Sequence, residues 1–367
     1  MINVTKPFLP PLEELTPYLE KIWERGILSN SGPFHQQLER ELEVFLGVNH
    51  VSLFCNATIA LITAQQALGL RGEIITTPYS FVATTHAIRW MSNQPVFVDI
   101  EQDSLCLSPD LIEQVITDRT VAIMPLHCYG NTCDTDRIQN IADAYDLRVI
   151  YDACHSFGVE DQGGSALRYG DISVVSFHAT KVFNTFEGGL LITQCPELKA
   201  KVDHLKNFGF VDETVVIESG INGKMSEFNA AVGLTQLPHF NEIKNLRAIL
   251  DETYRENLKH VTGIRCLEPV RQLERNYAYF PIFVEEDYGI SRDNLYDKLR
   301  ENNIFGRRYF YPLIPEFEMY SDIDSGALER LPNAISASRA VICLPLYPQL
   351  RREDVHRICD LIVRYAR

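Results

Sequence analysis

The sequence predicts an α/β fold: a large domain with a mostly parallel sheet, followed by a smaller α+β C-terminal domain. From about residue 50 to 195, short apolar runs alternate with segments of helical period. Strand–helix–strand repetition is the pattern of a parallel sheet covered by helices. Several runs are apolar on both faces, as strands buried from two sides are. Beyond them one long helical segment leads into a hundred-odd residues of mixed elements. The length of 367 residues is roughly two to three domains' worth, and the division expected is 1–240 and 241–367.

Taken in order, Phe34, Leu38, Leu42 and Phe45 recur at spacings of three and four and predict an amphipathic helix before the sheet. The strands expected are Val51–Phe54, Glu73–Thr76, Pro95–Val98, Val121–Met124, Arg148–Tyr151, Ile172–Val175 and Leu190–Thr193. Helices are expected between the first five, at segments that include Ile59–Leu68, Leu111–Ile116 and Ile138–Tyr145. A stretch holding Phe183, Thr185, Gly188 and Gly189 joins the last two strands. It is too short for a crossover helix, so those two should pair antiparallel. Phe240, Ile243, Leu246, Leu250, Tyr254 and Leu258 mark a long helix after Pro238, a bridge between the domains. In the smaller domain Tyr277–Val284 reads as a strand, Arg292–Arg300 as a helix capped by Ser291, and Val355–Tyr365 as a C-terminal helix.

Hydrophobic residues make up 46% and charged residues 23%, the balance of a globular chain and not of a disordered one. With 34 basic and 49 acidic side chains the net charge is −15. That opposes non-specific binding to nucleic acid and docking on anionic lipid, and leaves room for a small anionic substrate in a locally cationic pocket. The longest apolar stretches, such as Val121–Leu126, fall far short of the ~20 residues of a membrane helix. The segment Met1–Pro7 lacks the apolar core of a signal peptide. Nine cysteines, odd in number and irregular in spacing, make no disulfide framework. A cytoplasmic chain with no nucleic-acid and no membrane partner is expected. His127, Cys128 and Cys133 have no second pair at ligand spacing, and no metal is expected.

Three features stand at the C-terminal ends of expected strands, where open α/β sheets bind ligands. Cys55-Asn56-Ala57-Thr58 joins a strand to a helix, and small residues there leave free amides at a positive helix end, a phosphate cup. The plainer reading of this segment is a helix cap by Thr58. Asp152 ends a buried strand, where a carboxylate is costly without a cationic or donor partner, and His155 follows three residues on. Ser176-Phe177-His178-Ala179-Thr180-Lys181 leaves another strand and precedes Glu187-Gly188-Gly189. Apolar Phe177, Val182 and Phe183 bracket the lysine, a setting that desolvates an amine as a Schiff-base lysine requires. A lysine, an acid for a pyridine nitrogen and a phosphate cup are what pyridoxal 5′-phosphate demands.

The order Asn56-Ala57-Thr58, Asp152-Ala153-Cys154-His155 and Ser176-Phe177-His178-Ala179-Thr180-Lys181 resembles the DegT-type nucleotide-sugar aminotransferases. The likeness covers essentially the whole chain. It includes Gly26–Pro33, similar to that family's substrate loop, and the stretches Thr77–Thr84, His127–Gly130, Gly220–Glu227 and Tyr309–Pro312. It implies a fold-type-I enzyme dependent on pyridoxal 5′-phosphate, with L-glutamate as donor and a nucleotide-linked 4-keto-6-deoxy sugar as acceptor. It also implies roles. Lys181 would carry the cofactor and shuttle the proton, Asp152 would keep the pyridine nitrogen protonated, and Phe81 would stack on the ring beside His155. Ala57, Thr58 and the Ser176 hydroxyl would bind the phosphate. Asn222 would reach the neighbouring subunit's cofactor in a homodimer with shared sites. Ser29, Asn30, Tyr309 and Tyr311 would meet the substrate, and His178 with Glu187-Gly188-Gly189 points to amination at C4. Two departures stand out: the family often has Gly at position 57, where Ala would strain a positive φ, and Cys154 replaces a small residue. Amination at C3, and a cofactor-binding regulator without turnover, remain alternatives; Lys181 opposes the related dehydratases, which carry His there.

Overall fold

The computed structural model describes residues 1–269 and 273–366. Its centre is a seven-stranded sheet of β1 (His50–Phe54), β2 (Glu73–Thr76), β3 (Gln94–Phe97), β4 (Thr120–Met124), β5 (Arg148–Asp152), β6 (Ile172–Ser176) and β7 (Gly189–Thr193). The order across the sheet is β1-β7-β6-β5-β4-β2-β3. Strand β7 runs antiparallel to both its neighbours, as its short connection to β6 predicts, and the other pairings are parallel. The register sets Gly189 opposite both Phe54 and Ser176. The head of β7 therefore lies among the C-terminal ends of β1 and β6, on the edge where β5 ends in Asp152.

Helices cover both faces. Those of the large domain are α1 (Leu12–Arg25), α2 (Pro33–Leu46), α3 (Ala57–Ala67), α4 (Val82–Trp90), α5 (Thr135–Tyr145), α6 (Pro196–Leu205) and α7 (Glu227–Gln236). The helix expected over Leu111–Ile116 is instead two 3₁₀ turns, Pro109–Leu111 and Glu113–Val115. Six residues rich in β-branched side chains cannot recover the cost of nucleating an α-helix.

The smaller unit holds a three-stranded antiparallel sheet, β8 (Ile264–Cys266), β9 (Phe280–Val284) and β10 (Val341–Leu344), in that order. Around it pack α8 (Phe240–Leu258), α9 (Arg292–Glu301), α10 (Pro332–Ala340) and α11 (Arg352–Arg364). Ser291 caps α9 by accepting the Asn294 N–H, as expected. The strand expected to begin at Tyr277 begins at Phe280. Tyr277 has a φ of 52° and the buried Arg247 guanidinium takes the carbonyls of Tyr277 and Ala278, so these acceptors are lost to a ladder.

Helix α8 serves two cores. Phe240 and Ile243 pack with the large domain's Phe157 and Leu234, whereas Leu250, Tyr254 and Leu258 pack with Phe280, Leu295 and Ile358. We propose a domain boundary at 240/241, at the head of this helix. The N-terminus crosses that division, because Ile2 pairs with Ile304 and joins the second core. Among the described residues no helix is long and apolar enough to cross a membrane.

Candidate active site

The ends of β1, β5 and β6 open on a cavity of about 260 Å³. On one side lies the head of α3. Asn56 stands in extended backbone at φ −166° and caps the helix by accepting the Ile59 N–H at 2.9 Å. The cap is therefore Asn56 and not Thr58. Ala57 and Thr58 are the first two helical residues, whose amides have no intrahelical acceptor and face a positive helix end. Ala57 is absent from the residues of positive φ, so alanine is unstrained there. The Ser176 oxygen accepts the His178 N–H at 3.3 Å, leaving its own hydroxyl proton to donate. Gly189 closes this cup: a Cβ there would lie 2.6 Å from the Asn56 carbonyl carbon and 2.7 Å from the Ala57 nitrogen.

Asp152 is 4% exposed, and neutral donors hold it. Thr84 donates its hydroxyl to Oδ2 at 2.7 Å and the Cys154 N–H reaches Oδ1 at 3.2 Å. Such a carboxylate at a cavity wall is ready for a cationic N–H. His155 accepts the Tyr129 N–H on Nδ1 at 3.1 Å, and burial with the nearby Lys181 charge pushes its pKa well below the usual range. The ring is thus neutral, with its proton on Nε2. Lys181 donates to the Tyr279 hydroxyl at 3.2 Å, and burial pushes that phenol up, so it stays protonated. The apolar enclosure expected around the lysine is partial: Phe177 and Phe183 are packed into the core, while Lys181 itself is half-buried. His178 stands at the mouth, 2.8 Å from the Thr180 hydroxyl and 3.7 Å from Glu187.

The DegT/DnrJ/EryC1/StrS aminotransferase family matches residues 12–363. The chain belongs to that family. It is 53% identical over 361 residues to the dTDP-4-amino-4,6-dideoxy-D-glucose transaminase of Shigella dysenteriae, covering 98% of each chain. It is 50% identical over 365 residues to the enzyme of the same name from Escherichia coli, covering 99% of this chain and 98% of that one. The solved structure of DesI in the presence of its TDP-sugar product matches with a TM-score of 0.94 at 34% identity, over 99% of this chain and 92% of that chain.

The cofactor of this aminotransferase is pyridoxal 5′-phosphate, and the residues present fit it. A buried carboxylate held by neutral donors, free amides with a hydroxyl, and the Lys181 amine all line the one cavity. Of the residues singled out in the sequence, Ala57, Thr58, Phe81, Asp152, His155, Ser176, His178, Lys181 and Tyr309 meet at this cavity. Ser29, Asn30, Asn222 and Tyr311 do not line it. Asn222 is exposed and accepts from Lys224 at 2.6 Å; Tyr311 lies beneath the guanidinium groups of Arg292 and Arg308, at 4.4 and 5.1 Å. Cys154 lines the cavity as a thiol, its pKa pushed up by burial.

Three residues of the site escape sequence reasoning. Thr84 is invisible because its role is a contact 68 residues away in the chain. Tyr279 reads as one more residue of a strand. Arg307 belongs to none of the motifs above, and it lines the cavity with its guanidinium 4.7 Å from the Tyr309 ring. His127 is in the core, stacked 4.6 Å from Tyr151 with Nδ1 accepting the Cys133 N–H at 3.1 Å. Among the described residues no three His, Cys, Asp or Glu side chains converge as a metal site.

Proposed function

We propose that this enzyme transfers the amino group of L-glutamate to C4 of dTDP-4-keto-6-deoxy-D-glucose, forming 2-oxoglutarate and dTDP-4-amino-4,6-dideoxyglucose. The observation that supports this best is the meeting of Lys181, Asp152 and the α3 cup in one cavity, in a chain half identical to two transaminases named for that product. When bound, pyridoxal 5′-phosphate supplies the electron sink that eases proton loss at the carbon bearing nitrogen. The Ala57 and Thr58 amides and the Ser176 hydroxyl would hold its phosphate, and Asp152 would hold a proton on its pyridine nitrogen. Phe81, 54% exposed at the head of α4, offers a flat face for stacking. Neutral His155 donates from Nε2. In one half-reaction Lys181 would take a proton from the donor carbon, in the other it would give one to the sugar carbon, and Tyr279 would aim its amine. Arg307, a cation on the same wall, anchors the donor's carboxylate.

The active form is a homodimer with shared sites. Support comes from exposed apolar side chains near the loops that miss this chain's own cavity: Ile27, Leu28, Phe208, Phe210 and Phe228 are 37–65% exposed. A monomer has no reason to leave such a set in water. The cytoplasm is the compartment that suits nine cysteines, all free. His178 at the cavity mouth supports amination at C4, since it can line the sugar pocket. Incubation with glutamate and a panel of nucleotide keto-sugars, read by mass spectrometry, tests the substrate. NMR of the product tests the carbon: the proton on the nitrogen-bearing carbon must couple to the proton beside the C6 methyl. Coupling that places nitrogen at C3 refutes the assignment.

A further inference from the structure

Glu227 opens α7 and is 1% exposed, yet the groups that hold its carboxylate are backbone. The Phe34 N–H donates to Oε2 at 3.0 Å and the His35 N–H to Oε1 at 2.8 Å. These are the second and third residues of α2, whose N-cap, Gly32, has no side chain to offer an oxygen. Glu227 does from 193 residues away what a capping Ser or Asp does locally, and brings a full charge to the positive end of α2. Its own N–H donates to the Leu28 carbonyl at 2.9 Å. One residue thus grips the segment at both ends. The approach is so close that a Cβ at position 32 would lie 2.6 Å from the Glu227 carboxyl carbon and would have to displace that carboxylate.

Between the two grips Asn30 and Ser31 hold φ values of 60° and 55°, a conformation that such residues keep when their surroundings impose it. Gln36 adds a third tie, donating to the Ser31 carbonyl at 2.8 Å. The exposed Asn30 is turned to no group of this chain's own cavity. We propose that Glu227 is a positioning residue that holds Ser29–Ser31 in the shape met by the sugar nucleotide in the neighbouring subunit's site. This rests on the reading above of a dimeric sugar-nucleotide aminotransferase. A loop ordered in advance spares the ligand the entropy of ordering it, so the clamp acts on sugar-nucleotide binding and not on the glutamate half-reaction.

The test uses the holoenzyme and its Glu227→Gln and Glu227→Asp variants; the second keeps the charge and withdraws it by one methylene. Expected is a rise in KM for the sugar nucleotide of about tenfold or more, with the glutamate half-reaction within about twofold of wild type. Amides of residues 28–35 should exchange faster in both variants. An unchanged sugar-nucleotide KM beside faster exchange overturns the proposal, as does an equal loss in both half-reactions, the mark of a merely structural carboxylate. If neither variant folds, wild-type exchange decides, because unprotected amides at Phe34 and His35 would mean that no clamp exists. A wild type unable to aminate any keto-sugar nucleotide brings down the functional reading itself. A wild type that does so while Glu227→Gln keeps its sugar KM brings down this inference alone.

Discussion

The roles proposed for Lys181 and Asp152 rest on single atoms, so single substitutions read them cleanly. Lys181→Ala removes the cavity's only lysine amine among the lining residues and should abolish both turnover and the visible absorbance of bound cofactor. Retained colour would move the attachment to another lysine. Asp152→Asn keeps an acceptor for the Thr84 hydroxyl but cannot hold a proton on the pyridine nitrogen. The lost charge-assisted bond is worth about 2–3 kcal/mol, so turnover should fall roughly 30- to 150-fold while cofactor still binds. Steady-state rates near wild type would remove Asp152 from that role. Tyr279→Phe keeps the ring against His155 at 4.7 Å and deletes only the hydroxyl that accepts from Lys181. A hydrogen bond worth ~1 kcal/mol in the transition state corresponds to about a fivefold loss of rate. No loss would return Tyr279 to packing.

The phosphate cup is a property of two elements meeting, and neither alone contains it. Strand β7 can approach the head of α3 because Gly189 has no side chain; the obstacle to a Cβ is backbone, which cannot rotate aside as a flexible side chain would. Gly189→Ala should therefore push α3 away from β6 and separate the Ala57 and Thr58 amides from the Ser176 hydroxyl. We expect cofactor affinity, titrated by absorbance, to weaken at least tenfold (about 1.4 kcal/mol), together with a lower melting temperature. Undiminished affinity would place the phosphate elsewhere. The Glu187-Gly188-Gly189 motif thus has a steric reason beside any part in choosing the carbon. At position 188, too, a Cβ would meet the Thr185 hydroxyl at 2.1 Å.

At the scale of the whole molecule, the proposed sharing of sites between two subunits is the reading most open to disproof. Asn222→Asp sets a carboxylate where a phosphate of like charge would sit, and should weaken cofactor retention. Mixed with Lys181→Ala under conditions in which subunits exchange, it should regain activity, since one hybrid site would carry both native residues. Exchange proven by mass without any rescue would assign Asn222 to its own chain or to no site. Much of this architecture was legible in the chain. The seven strands and the antiparallel β6–β7 pair follow from runs that must be buried on two faces and from a connection too short to cross over. Lys181, Asp152 and the α3 turn were legible because parallel strands deliver their C-terminal ends to one edge. The sequence could not show that Asn56 caps α3, that Tyr277 and Ala278 give their carbonyls to Arg247, that Thr84, Tyr279 and Arg307 line the cavity, or that Glu227 caps α2. Those roles are contacts between segments far apart in the chain, and local periodicity carries no record of them. Which residues can be strand, helix or chemistry follows from period and residue type, and both are local properties of the chain. Which of them touch was decided only by the tertiary structure, because distance in space is set by packing.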